Sequence, residues 1–99
     1  MAYSFDAPLW LWTARTDSWT FLSLPTDVAD EVLDLAGPVT RGFGAVRVEV
    51  TIGRTTWRTS IFPDNASKTY VLPVKKAVRT AEGLATGDTA HVVLRLMDV

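Results

Sequence analysis

The 99-residue sequence contains no cysteine. Disulfides, thiolate zinc sites, iron–sulfur clusters and thiol catalysis are therefore excluded. It has one histidine, His91, which removes most histidine-based metal and triad chemistry. The sequence thus points to no metal site and no cofactor. No apolar run approaches the roughly 18 residues that a membrane span needs, so no membrane partner is expected. Met1-Ala2-Tyr3-Ser4 shows neither the charged nor the apolar segment of a secretory leader, and the expected location is cytoplasmic. A surplus of one charge is also missing. Ten Lys and Arg stand against eleven Asp and Glu, for a net charge of −1. The bulk positive charge that drives non-specific nucleic-acid binding is absent.

What is present is globular composition, with 47% hydrophobic and 21% charged residues. The length corresponds to one domain over residues 1–99. A chain this short hides only about two-thirds of the surface that its unfolded form exposes, so its core must come from one compact arrangement.

Apolar alternation marks six strands. In Tyr3 to Thr13, the residues Tyr3, Phe5, Ala7, Leu9 and Leu11 share one face, while Trp10 and Trp12 fall on the other. Ala14 to Ser18 reads as a hairpin loop. Trp19 to Leu24 is the second strand, closed by Pro25, which lacks a ladder donor. Val46, Val48, Val50 and Ile52 form the cleanest period-2 stretch, approached through Arg41-Gly42-Phe43-Gly44. Gly53-Arg54 fits a two-residue turn with glycine first. Thr55 to Phe62 follows, with Trp57, Thr59 and Ile61 on one face. Pro63 to Ser67 is a turn cluster, Thr69 to Leu72 a short strand, and Ala90, Val92, Leu94 and Leu96 line the last one.

Two helices interrupt this pattern. From Thr26 to Ala36, Val28, Val32 and Leu35 recur at helical spacing with Ala29, Leu33 and Ala36 beside them. Thr26 or Asp27 is the expected cap, and Gly37-Pro38 the stop. Lys75 to Glu82 is a shorter helix ended by Gly83. The element order strand, strand, helix, strand therefore occurs twice, with Leu24-Pro25 and Leu72-Pro73 at matching places. Two such ββαβ units, related by a pseudo-twofold axis, predict a mainly β fold: a six-stranded double-split β-barrel with two short helices. Closure removes the open edges that a single unit would leave.

Charge differs between the halves. Residues 1–40 carry one Arg and six acids, and residues 41–99 carry nine bases and five acids. Arg47, Arg58, Lys75, Lys76 and Arg79, with Lys68, are the candidates for an anion site, although no glycine-rich phosphate loop precedes the second helix. Scattered solvated charges are the plainer reading of the same residues. Trp19 and Trp57 read as core, being the largest burial resource available. Trp10 and Trp12 are harder to place inside and read as packing or as an interface. Ser60 and His91 with a nearby acid could in principle make a triad. No G-x-S-x-G elbow accompanies them.

Leu9-Trp10-Leu11-Trp12, Trp19 to Pro25, Gly42 to Pro63 and Tyr70 to Asp88 together resemble a family of small bacterial domains of unknown function. The most specific pieces are Val46 to Gly53 with Trp57 to Pro63, and Leu72 to Arg79 with Gly83-Leu84 and Gly87-Asp88. The resemblance implies a double-split barrel, sometimes fused to a bacteriocin-protection domain of the YdeI/OmdA-like kind, and supplies no mechanism. Leu-Pro, a short helix, Gly-Leu and Gly-Asp before a strand are also similar to the swapped-hairpin DNA-binding barrels of the AbrB type. Those build the barrel from two short chains and read DNA with basic residues from both protomers, whereas Asp27, Asp30, Glu31 and Asp34 make the first helix here acidic.

The residues thus describe a non-catalytic binding module. Its partner is a protein or a small anionic ligand, or a second copy meeting it through Trp10 and Trp12 as a homodimer. Nucleic-acid binding through the basic second half is the alternative, and an enzyme with an unrecognised site ranks last.

Overall fold

A computed structural model describes residues 2–14, 17–37 and 44–97. The elements are β1 (Ala2–Ala14), β2 (Asp17–Ser23), α1 (Thr26–Ala36), β3 (Val46–Ile52), β4 (Thr55–Asp64), β5 (Thr69–Pro73), α2 (Lys76–Glu82) and β6 (Thr89–Leu96). The strands close into a barrel in the order β1-β2-β5-β4-β3-β6, and every neighbouring pair is antiparallel. Exchanging β1, β2 and β3 for β4, β5 and β6 maps this ring onto itself. The connectivity is therefore that of two equivalent ββαβ halves, as the element order predicts.

Two long strands make the closure possible. Ala2–Pro8 of β1 pairs with β6 and Leu9–Ala14 with β2. In β4, Thr55–Ile61 pairs with β3 and Phe62–Asp64 with β5. Each long strand thus belongs to both sheets and carries a proline near the change of partner, Pro8 or Pro63. A residue without an N–H suits a place where the ladder is interrupted. Beyond Pro8, the Leu9 N–H donates to the Asp88 carbonyl at 2.9 Å, and its own carbonyl accepts from Gly87 N–H at 2.8 Å.

The inward faces follow the alternation. Val48, Val50, Val92 and Leu94 are fully buried, and Val46, Ile52, Ala90 and Leu96 complete their rows. Phe5, Ala7 and Leu9 fill the β1 side, but Leu11 is exposed because β1 extends there past the core as one arm of a hairpin. That hairpin is tighter than predicted. Ala14 pairs with Asp17, and Ser18 is already strand; only Arg15 and Thr16 remain between them, outside the described residues. Arg41, Gly42, Phe43 and Pro38 also lie outside.

Helix α1 buries Val28, Ala29, Val32 and Ala36, while Leu33 and Leu35 stay exposed. At about 100° per residue these leucines sit roughly 80° to either side of the buried stripe, so a helix lying on small residues leaves both at its margins. Neither Thr26 nor Asp27 caps it. Pro25 occupies the N-cap without a side-chain bond, and its carbonyl accepts from Ala29 N–H at 2.9 Å. Gly53 has φ 60°, and Arg54 does not share a positive φ, which is the glycine-first hairpin turn expected. β4 continues through Pro63 to Asp64, whose carboxylate accepts from Ala66 N–H (3.3 Å) and Ser67 Oγ (2.6 Å) to shape the next turn.

The Tyr3 hydroxyl is covered and finds no hydrogen-bond partner among the described residues. Burial, and secondarily the Glu31 carboxylate, push its phenol above the usual tyrosine range; burial does the same to Tyr70. A phenol whose folded pKa is raised favours the folded state fully below the unfolded value of about 10, and that contribution is lost as pH rises through the folded value. Alkaline melting curves should therefore fall as pH passes 10, and Tyr3→Phe should flatten the fall. An unchanged alkaline slope in that variant would show that Tyr3 does not contribute.

Candidate functional site

The two outer faces of the barrel differ in chemistry. On the β1–β6–β3–β4 side the outward residues are, Val93 apart, mainly polar, and several are cross-linked. His91 Nδ1 lies 2.7 Å from Asp6 Oδ1, and Glu49 accepts from Arg58 at 3.4 Å and from Arg95 at 3.3 Å. On the β1–β2–β5 side they are aromatic. Thr20, Leu22 and Leu24 take the buried positions in and after β2, so the parity of the strand turns Trp19, Phe21 and Ser23 outward. This corrects the expectation that Trp19 is core, since it is 56% exposed. Trp57 does pack against the core, partly buried.

Register assembles the aromatic surface. Trp10 lies opposite Phe21 and Trp12 opposite Trp19. The Trp10 and Phe21 rings are 5.3 Å apart and tilted by 39°, and Trp19 stacks on Phe21 at 6.3 Å and 13°. Trp10 is half-buried and held by its indole N–H, which donates to Ser23 Oγ at 3.0 Å. These rings, with Phe62, Pro63 and Pro73, line an open groove of about 660 Å³. Trp10 forms its floor, while Trp12, Trp19 and Phe62 stay exposed.

A second depression, of about 410 Å³, opens beside this groove and shares Trp19 and Pro73 with it. It lies where β5 leads into α2. Arg58, Lys75, Lys76 and Arg79 line it, with Trp57 and the hydroxyl residues Ser18 and Thr59; among the described residues no carboxylate lines it, although Arg58 is itself paired with Glu49 on the polar face. Arg79 Nε donates to the Val74 carbonyl at 3.1 Å, which fixes the guanidinium while leaving its terminal nitrogens available. Four of the five cations singled out in the sequence are thus gathered in one place. Arg47 is not among them. It sits on β3 opposite Ser60, on the polar face. Lys68 lies at the far end of the groove, in a third depression of about 420 Å³ with Asp30, Leu33 and Asp64.

Ser60 and His91 are held apart. Ser60 pairs with Arg47, whose carbonyl accepts from Met97 N–H at 3.0 Å. His91 is six residues further along β6, about 20 Å at the rise of a strand. Among the described residues no cluster of three or more His, Asp or Glu gathers in metal-binding geometry. No helix among them is long and apolar enough to cross a membrane.

Trp19, Trp57 and Phe62 were not singled out as site residues from the sequence. The signal for Trp19 was available in its parity with Phe21 against Leu22 and Leu24. That for Phe62 appears only once β4 is seen to continue into the second sheet.

A small closed barrel with one polar outer face and one aromatic and cationic outer face defines the class of protein. The chain belongs to the family described as Domain of unknown function (DUF1905), which it matches over residues 5–94, nearly the whole barrel. No curated protein matches it.

Proposed function

We propose that this protein is a non-catalytic binding module for an anion that carries a planar ring, of the nucleoside phosphate kind. One observation carries the reading: the cationic depression and the aromatic groove meet at Trp19. Lys75, Lys76 and Arg79 supply charge-assisted donors to the anionic group. The exposed Trp19 ring offers a stacking surface beside them, of the type worth about 1–3 kcal/mol per base. Ser18 and Thr59 add neutral donors. The Trp12 and Trp19 pair favours a second reading, in which successive bases of a single strand stack along the groove.

The test is a titration followed by tryptophan emission and by melting temperature, with a nucleoside monophosphate, inorganic phosphate and a short single-stranded oligonucleotide as probes. The monophosphate is expected to quench emission and to raise the melting temperature, because any native-state ligand does so. Inorganic phosphate binds more weakly. Lys75→Ala with Lys76→Ala should reduce affinity by about 10- to 100-fold, as the loss of charged hydrogen bonds of roughly 1.5–3 kcal/mol implies. Trp19→Ala should reduce it while leaving the unliganded melting temperature nearly unchanged. If only the oligonucleotide binds, with affinity falling steeply with salt, the second reading replaces the first. If no probe shifts either signal, both are wrong.

A further inference from the structure

The three depressions lie in a line. The cationic one sits at the Pro73 end of β5 and the third one at its Thr69 end, with the aromatic groove between them. Their separation along the strand is about 13 Å at roughly 3.3 Å per residue. The third depression is bounded by α1 through Ala29, Asp30 and Leu33, the last 57% exposed, with Asp34 one turn beyond Asp30, and it also holds Asp64 and Lys68. The face is therefore basic at one end, aromatic in the middle, and at the other end net acidic, with two carboxylates against Lys68 and an exposed leucine.

Such a face is complementary to itself. A twofold axis lying in the interface and perpendicular to β5 brings the basic end of each copy onto the acidic end of the other, and aromatic centre onto aromatic centre. We infer that the protein forms a closed antiparallel homodimer through this face, with α1 of each copy seated against Lys75, Lys76 and Arg79 of its partner. Isologous pairing satisfies both ends at once, and closure at two copies follows from it. Contiguous exposed aromatic surface of this kind is what the centre of an interface uses, with the charges at its rim setting orientation. The inference rests on the reading of this face as a binding surface, though not on the identity of its ligand. Because anion and partner helix use the same cations, ligand binding and dimerisation oppose one another reciprocally.

Sedimentation equilibrium of the intact chain over a wide concentration range tests this. Wild type should reach a limiting mass of two copies, and rising salt should weaken the association. Lys75→Glu with Lys76→Glu, and Asp30→Lys with Asp34→Lys, should each weaken it at least tenfold. An equimolar mixture of the two variants should recover a dimer, because the introduced glutamates of one copy then face the introduced lysines of the other while the unaltered ends face each other. Trp12→Ala with Trp19→Ala should also weaken it at least tenfold. Melting curves on the same samples confirm that these surface variants fold. A wild type that stays monomeric at millimolar concentration overturns the inference, whatever the variants do. So does growth beyond two copies, or a mixture that remains monomeric. A monomer that binds a nucleoside phosphate sinks the dimer alone, and a dimer indifferent to every probe sinks the ligand reading alone.

Discussion

Leu72→Ala is expected to lower stability by about 2–5 kcal/mol, the range for emptying a buried leucine site. For a chain of this length that corresponds to a fall in melting temperature of roughly 10–25 °C. Leu72 is fully buried and pairs with Leu22, which is fully buried too. These two residues form the middle of the β2–β5 seam, where three residue pairs join the halves. The other strand pairings that cross from half to half are longer: β1–β6 and β3–β4 have seven pairs each and β3–β6 has five. Little around Leu72 can collapse into the vacated space without separating the short seam. Leu72→Met keeps the volume and should cost less than about 1.5 kcal/mol. Urea or thermal unfolding of both variants decides the matter. A Leu72→Ala cost below about 1 kcal/mol would mean that the seam is not where the halves are held.

Gly53→Val should cost about 3 kcal/mol or more, by two mechanisms that can be separated. Gly53 has φ 60°, a region where a β-branched residue is a genuine outlier, costing of order 1–3 kcal/mol. A Cβ there would also fall on the Glu82 carboxylate. That carboxylate accepts from the Thr55 hydroxyl at 2.6 Å and ties the end of α2 to the β3–β4 turn. Displacing it forfeits the bond, worth about 1 kcal/mol. Gly53→Ala made in wild type and in a Glu82→Ala background isolates the steric part, since the clash vanishes in the second while the backbone strain remains. Equal costs in both backgrounds would show that Glu82 simply swings away.

The fold was legible because its strands alternate cleanly. Val46 to Ile52 and Ala90 to Leu96 bury every second residue, and two Leu-Pro steps mark where each half leaves its sheet for a helix. Errors gathered where a residue's side is set by a partner strand rather than by its own neighbours. Leu11 continues the alternation of β1, but the core has already ended there. Trp19 looks like core by size, although Thr20 takes the buried position and parity turns the indole outward. Leu33 and Leu35 fit a helical stripe, yet α1 rests on smaller residues between them. The clustering of Arg58 with Lys75, Lys76 and Arg79 required knowing that β4 and the β5–α2 junction meet around Trp57. Periodicity cannot supply that, and it equally could not separate Arg47 from the group.

The pairing of Ala2 with Arg95 puts the first and last strands side by side, while the tight turn at Gly53-Arg54 links the two halves across the equivalent seam, β3–β4. Because the ring of strands is unchanged when the halves trade places, chain order is a matter of convenience to this architecture. A circular permutant with the outer ends joined and the Gly53-Arg54 bend opened would present the halves in reverse succession and close into the same barrel. The fold is in this sense a dimer of half-barrels written as one polypeptide.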